Sequence, residues 1–141
     1  MHVPARLSLS DARGFTLVEL LVVMLILGIL AMIALPAFTS QRLKGDDTKA
    51  QQMVRTVATA LATYHTDEST YDASRADLER IEPAVREASA GLEITGTNDG
   101  FEITETSHSD TTFTMTHADG GVVTRSCSIA DRGLCKADNT W

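Results

Sequence analysis

Few residues in this chain have types and spacings that could do chemistry. Glu19 is the one charged residue between positions 15 and 38. A carboxylate at bilayer depth costs at least a few kcal/mol unless it is paired or reaches the interface. Its chemistry is therefore ion pairing in an apolar setting, or snorkelling to the headgroups. Cys127 and Cys135 are the only two cysteines. One intrachain pairing is possible; two free thiols or metal ligation are the alternatives. Metal fits poorly, because no second Cys or His pair lies at ligand spacing. His2, His65, His108 and His117 are scattered and form no HExxH. There is no G-x-S-x-G elbow, phosphate-binding glycine loop or dinucleotide fingerprint. Asp67-Glu68, and Asp131 with Asp138, are acidic clusters that could bind Ca²⁺, but they lack an EF-hand pattern. A solvated surface is the simpler account of them. These residues point to no enzyme, no metal site and no cofactor.

The elements that carry these residues lie in two chemically distinct stretches. The chain has 141 residues, 43% of them hydrophobic, with 12 Lys+Arg against 19 Asp+Glu and a net charge of −7. That balance argues against nucleic-acid binding, which needs a basic footprint. The average hides a segregation: residues 15–38 hold 20 hydrophobic residues out of 24. Net charge is +1 over residues 1–14, −1 over 15–38, +2 over 39–62 and −9 over 63–141. As a helix, residues 15–38 reach roughly 36 Å, enough to cross a hydrocarbon core of about 30 Å. The apolar region of a cleavable secretory signal is shorter, about 7–15 residues, and ends at a small-residue site absent here. Gly28 weakens the helix interior and Pro36 removes a hydrogen bond, so both read as points of weakness.

Beyond Phe38, Ala50, Val54, Val57 and Leu61 recur at helical spacing and predict an apolar stripe. Gly45-Asp46-Asp47 is expected to loosen this helix locally, and residues 64–71 to end it. Residues 74–88 predict a short helix capped by Ser74 with Asp77 and interrupted by Pro83. From Leu92 the period changes to two. Turn signals at Asn98-Asp99-Gly100, at residues 107–110 and at residues 118–121 separate four strands of an antiparallel meander. Its apolar face carries Leu92, Ile94, Phe101, Ile103, Phe113 and Met115. The helix stripe is its natural cover. The expected fold class is α+β: a long N-terminal helix, membrane-spanning in its first half, packed by its second half on a four-stranded antiparallel sheet.

Arg13-Gly14-Phe15-Thr16-Leu17-Val18-Glu19 is a polar leader ending in Gly, then an aromatic, then apolar residues with Glu fifth after the Gly. Over residues 13–38 this resembles the prepilin (class III) signal of type IV pilins and pseudopilins. The resemblance implies cleavage between Gly14 and Phe15 by a prepilin peptidase and methylation of the new Phe15 amine. It implies an assembly role for Glu19, which lies one helical turn from that amine. In staggered subunits Glu19 of one chain would meet the amine of the next, leaving neither charge unpaired. Gly28 and Pro36 match positions where pilin helices lose regular hydrogen bonding in the filament, so a break or stretch is expected between them.

The implied domains are a leader at 1–14, a long helix at 15–64 with its transmembrane and filament-core part at 15–38, and a head at 65–141. In an exported head, Cys127 and Cys135 are expected to form a disulfide, worth roughly 2.6 kcal/mol in the chain-entropy model. The loop resembles the C-terminal disulfide loop of type IV pilins. The implied function is a structural subunit of a type IV pilus, with the major subunit as the modest choice. The implied partners are copies of itself in a helical filament, the prepilin peptidase, the pilus assembly machinery and, before assembly, the cytoplasmic membrane. The mature protein would lie in an extracellular pilus. Lys and Arg flank the span two before and four after, which opposes this orientation by the positive-inside rule; the leader signature and the cysteines outweigh it. The alternatives are a type II secretion pseudopilin and a single-span surface binding protein with an uncleaved anchor.

Overall fold

The computed structural model describes residues 14–118 and 120–141. Apart from Gly14, the leader assigned to residues 1–14 lies outside the described residues, as do His2 and Asp119 of the third turn. The chain divides into two units between Ala37 and Phe38.

Helix α1 runs Leu17–Glu68 and contributes to both units. It begins two residues later and ends four residues later than the expected span of 15–64. Its end is set by Ser69, in the left-handed region at φ 56°, whose N–H still bonds the His65 carbonyl at 2.9 Å. The break expected between Gly28 and Pro36 is absent from the single chain, where both residues lie within α1. Neighbouring apolar residues keep good helix propensity on either side of each weak point. The loosening expected at Gly45-Asp46-Asp47 is absent too, because Asp47 is held by tertiary hydrogen bonds that override local propensity.

In the C-terminal unit α2 (Arg75–Ile81) follows a complete capping box. The Ser74 side chain accepts from the Asp77 N–H, and the Asp77 carboxylate accepts from the Ser74 N–H and hydroxyl. Those Ser74 hydrogen bonds, with Arg80 nearby, hold the Asp77 carboxyl below the ordinary carboxylate range. Pro83 cannot extend α2 and instead opens the 3₁₀ turn η1 (Pro83–Glu87). The Arg75 guanidinium ties the two together, donating to Glu79 and to the Ala88 and Ser89 carbonyls at 3.2 Å each.

The meander is β1 (Glu93–Gly96), β2 (Phe101–Thr106), β3 (Thr112–Ala118) and β4 (Val122–Cys127), antiparallel and in sequential order. Ile103 pairs with Ile94 on one side and Met115 on the other. Ala50, Val54, Val57, Ala60 and Leu61 of α1 share one buried cluster with Phe101, Ile103, Phe113 and Met115, while Leu92 and Ile94 pack against it half-buried. The expected helix-on-sheet arrangement is therefore present. The end of β1 is also sewn to the segment after α1: the Tyr71 N–H donates to the Thr97 carbonyl at 2.8 Å. A Cβ at Gly96 would overlap the Tyr71 carbonyl, so only glycine permits that approach.

One polar contact crosses the core. Asp47 is fully buried on α1. Its Oδ1 accepts from the Ser107 and Ser109 hydroxyls at 2.8 and 2.6 Å, and its Oδ2 from the Leu134 N–H at 3.0 Å. One carboxylate thus holds the β2–β3 turn and the loop after β4 to the helix. Gly133 sits against it at φ 62°, where a Cβ would overlap Oδ2. Asp47→Ala is expected to destabilise the protein by roughly 2–4 kcal/mol, because two buried hydroxyls and one half-buried N–H lose their acceptor. Gly133→Ala should cost more in the wild-type background than in Asp47→Ala, where only the backbone strain of about 1 kcal/mol persists. Urea unfolding of the four detergent-solubilised chains measures this; strictly additive costs would contradict the contact.

Candidate functional site

The feature of the N-terminal unit, among the described residues, is an exposed apolar surface with one polar terminus. Every residue from 14 to 42 is exposed in the single chain. Among the described residues α1 is the one helix long and apolar enough to cross a membrane. Gly14 and Phe15 precede α1 in irregular, accessible backbone. Phe15 is 79% exposed. The scissile position inferred from the sequence is thus sterically open.

Glu19 is not idle in the single chain. Its Oε2 accepts from the Thr16 N–H at 3.1 Å and the Thr16 hydroxyl at 3.0 Å, while the Glu19 N–H donates to Thr16 Oγ1 at 3.2 Å. This reciprocal pattern is a capping box, in which two of the otherwise unpaired donors of a first helical turn are satisfied. Thr16 is therefore a capping partner of Glu19 that the sequence reading overlooked. The signal was present as T-x-x-E at Thr16 and Glu19, immediately before the apolar run. The cap fixes the direction of the Glu19 carboxylate and places negative charge at the positive end of the helix dipole.

Gly28 and Pro36 lie further along the same apolar stretch, both exposed. A Cβ at Gly28 would meet nothing within 4 Å, so no contact inside the chain requires glycine there.

The cysteines stand in the other unit, where Cys127 and Cys135 form a disulfide and both are buried. The alternatives of free thiols and metal ligation do not apply to this pair. The bridge closes the loop that Asp47 grips through Leu134. Beyond it the C-terminal residues return across the sheet. The Cys127 N–H donates to the Asn139 carbonyl at 2.8 Å, and Trp141 Nε1 donates to the Thr114 carbonyl at 3.1 Å. The Trp141 ring meets Phe113 edge-on at 5.9 Å. The guanidinium carbons of Arg55 and Arg125 each lie 5.5 Å from its centroid. The Thr140 hydroxyl and N–H both donate to Asp138, which keeps that carboxyl below its usual range.

The remaining candidates do not converge. His65 stacks on Tyr71 at 4.2 Å and His117 on Phe101 at 5.2 Å, so both act as ring partners. His108 is exposed. Among the described residues no three His, Cys, Asp or Glu side chains are grouped to hold a metal ion. What the geometry can do is present an apolar helix with a capped carboxylate near its start, and a disulfide-braced sheet unit.

Comparison with known proteins agrees with that division. The family model described as the prokaryotic N-terminal methylation motif matches residues 9–35. The chain is 29% identical over 130 residues to the type IV wide pilus major component PilA4 of Thermus thermophilus, covering 92% of this chain and 91% of that one. It is 35% identical over 69 residues to the type II secretion system core protein G of Pectobacterium carotovorum, covering 49% of this chain and 44% of that one. It is 36% identical over 59 residues to the type IV major pilin protein PilA of Myxococcus xanthus, covering 42% of this chain and 27% of that one. The chain thus spans less than half the length of the last two relatives. No solved structure gives a significant match. The methylation motif, these relatives and the helix-on-meander fold together make this chain similar to type IV pilins and type II secretion pseudopilins, which are structural subunits rather than enzymes.

Proposed function

We propose that this protein is a structural subunit of a type IV pilus, cleaved after Gly14, methylated on Phe15 and polymerised through its apolar helix. The observation that carries this reading is the likeness to a wide pilus major component along 92% of the chain, sheet unit included. The disulfide loop between Cys127 and Cys135 agrees with it. The reading places the chain first in the cytoplasmic membrane, with the sheet unit outside the cytoplasm, and then in an extracellular filament. Its partners are copies of itself, the prepilin peptidase and the pilus assembly machinery. Domain limits follow the processing: a leader at 1–14, the long helix from 15, and the sheet unit beyond it.

The physics of assembly favours a polar key in an apolar interface. Lipid tails are as apolar as leucine, so moving residues 15–38 from bilayer to fibre core gains little from hydrophobicity alone. Once extracted, the same side chains would meet water unless neighbours cover them. Apolar contacts of this kind are non-directional and leave the axial register open. Glu19 closes that choice by pairing with the Phe15 amine of a staggered neighbour, at a depth where an unpaired charge is costly. Gly28 and Pro36 supply the place where α1 stretches on assembly, since the helix loses least there by giving up regular hydrogen bonds.

A second reading, the type II secretion pseudopilin, is supported by the 35% identity to core protein G over half the chain. The composition of surface filaments separates the two: a pilus subunit is recovered as the main chain of sheared fibres, a pseudopilin is not.

Cleavage and methylation give the first test. Mass spectrometry of the membrane form should show a chain beginning at N-methyl-Phe15 and lighter by two hydrogens for the disulfide; an intact leader would instead support an uncleaved surface anchor. The role of Glu19 gives the second. Glu19→Gln keeps an acceptor for Thr16 and so keeps the cap, but removes the charge. It should insert in the membrane at wild-type level yet lose filaments by at least about tenfold, as should Glu19→Ala. Wild-type filament yield from Glu19→Gln would show that the cap, not the ion pair, is what Glu19 supplies.

A further inference from the structure

The loop that the disulfide closes is also held at both ends by contacts that do not involve sulfur. At its first end Cys127 lies in register opposite Phe113, as the last residue of β4. Next to it, the Ser128 N–H donates to the Thr112 carbonyl at 3.0 Å, and the Ser128 hydroxyl accepts from the Thr112 N–H at 2.9 Å. At its second end the Cys135 N–H donates to the Arg132 carbonyl at 3.0 Å. The Leu134 N–H donates to Asp47 Oδ2 at 3.0 Å. Asp47 cannot yield easily, because it is fully buried on α1 and its other oxygen is held by Ser107 and Ser109. A helix side chain 87 residues away therefore fixes the backbone beside one of the two cysteines.

Docking the loop on Asp47 and joining the sulfurs restrict the same short backbone. A loop already docked has less chain entropy left to lose when the bridge forms, and a bridged loop has less to lose when it docks. Two events that favour each other in this way do so by the same factor in both directions. We infer that Asp47 is a positioning residue for the disulfide: it holds the loop in the bridged course before the sulfurs join, and so raises the tendency of Cys127 and Cys135 to oxidise. The fold thereby contains a redox-sensitive latch. With the bridge formed, the loop is fastened to α1 by Asp47 and closed on itself. With the bridge reduced, the loop depends on Asp47 for its attachment to α1. The latch lies wholly in the sheet unit and operates whether or not the chain forms filaments.

The test equilibrates the full, detergent-solubilised chain with mixtures of oxidised and reduced dithiothreitol, traps free thiols with a maleimide and reads the bridged fraction by mass. In this exchange the protein S–S bond forms as the S–S bond of oxidised dithiothreitol breaks, and two hydrogens and two electrons pass from the cysteines to the reagent. Asp47→Asn keeps an oxygen for the Ser107 and Ser109 hydroxyls but offers Leu134 an amide NH₂, which cannot accept. The equilibrium constant for bridge formation should fall about tenfold, the scale of one charge-assisted hydrogen bond. Ser107→Ala weakens the hold on Asp47 from the turn side and leaves the loop bond in place. It should lower stability while shifting the constant by less than about twofold. If Asp47→Asn does not fold, Gly133→Ala, whose Cβ would drive the loop off Asp47 Oδ2, should give the same tenfold fall. An unchanged constant in the folded variant, or an equal fall in Ser107→Ala, would overturn the positioning role.

Discussion

A four-stranded meander leaves one apolar face open, and its cover here is a stripe of α1. Val54, Val57 and Leu61 are fully buried there, with Ala50 and Ala60 almost so. Each large side chain of this kind contributes about 1.5–3 kcal/mol when fully buried. The net stability of a domain is only about 5–15 kcal/mol. The sheet unit therefore cannot be separated from residues 50–61 without losing its core. The same helix supplies the exposed apolar stretch before Phe38. This explains the composition: the stripe after residue 50 alternates with polar residues every three or four positions, while residues 15–38 are apolar all round.

A small sheet unit also needs cross-links that do not depend on apolar area. Two are present, and they act on the same loop. The disulfide closes residues 127–135, and Asp47 fastens that loop to α1 from inside. Trp141 adds a third restraint by folding the C-terminus back onto Phe113. Loop, turn and helix are thus braced at points far apart in sequence.

The elements were legible because they depend on local rules. Hydrophobic period located the stripe and the four strands, Ser74 with Asp77 announced α2, and Pro83 announced its end. The N-terminal methylation motif matched at residues 9–35 was legible around Gly14 and Glu19. Asp47 was misread, because Gly45-Asp46-Asp47 looks like a helix weakener when only neighbours in sequence are considered. Its partners Ser107, Ser109 and Leu134 lie 60, 62 and 87 residues away. No periodicity encodes such a pairing. Gly133 was opaque for the same reason, since its need for glycine comes from Asp47. Glu105 continues the alternation of Phe101 and Ile103, and that this places a carboxylate on the core face became meaningful only with the α1 stripe in place.

Three carboxylates in this chain sit where a charge is costly, and they differ in how completely they are answered. Asp47 has a donor for each oxygen within its own chain, so its expense is recovered in stability and it can act as a fixed structural pin. Glu105 has a donor for one oxygen only. Glu19 is answered by Thr16 alone, on one oxygen, at the entrance to an apolar segment. Burial of a polar atom without a partner lowers stability in the single chain, and an isosteric amide or apolar side chain would avoid it. By that measure Asp47 belongs to the fold, with both oxygens answered inside the chain, while Glu105 keeps one oxygen that no donor answers among the described residues.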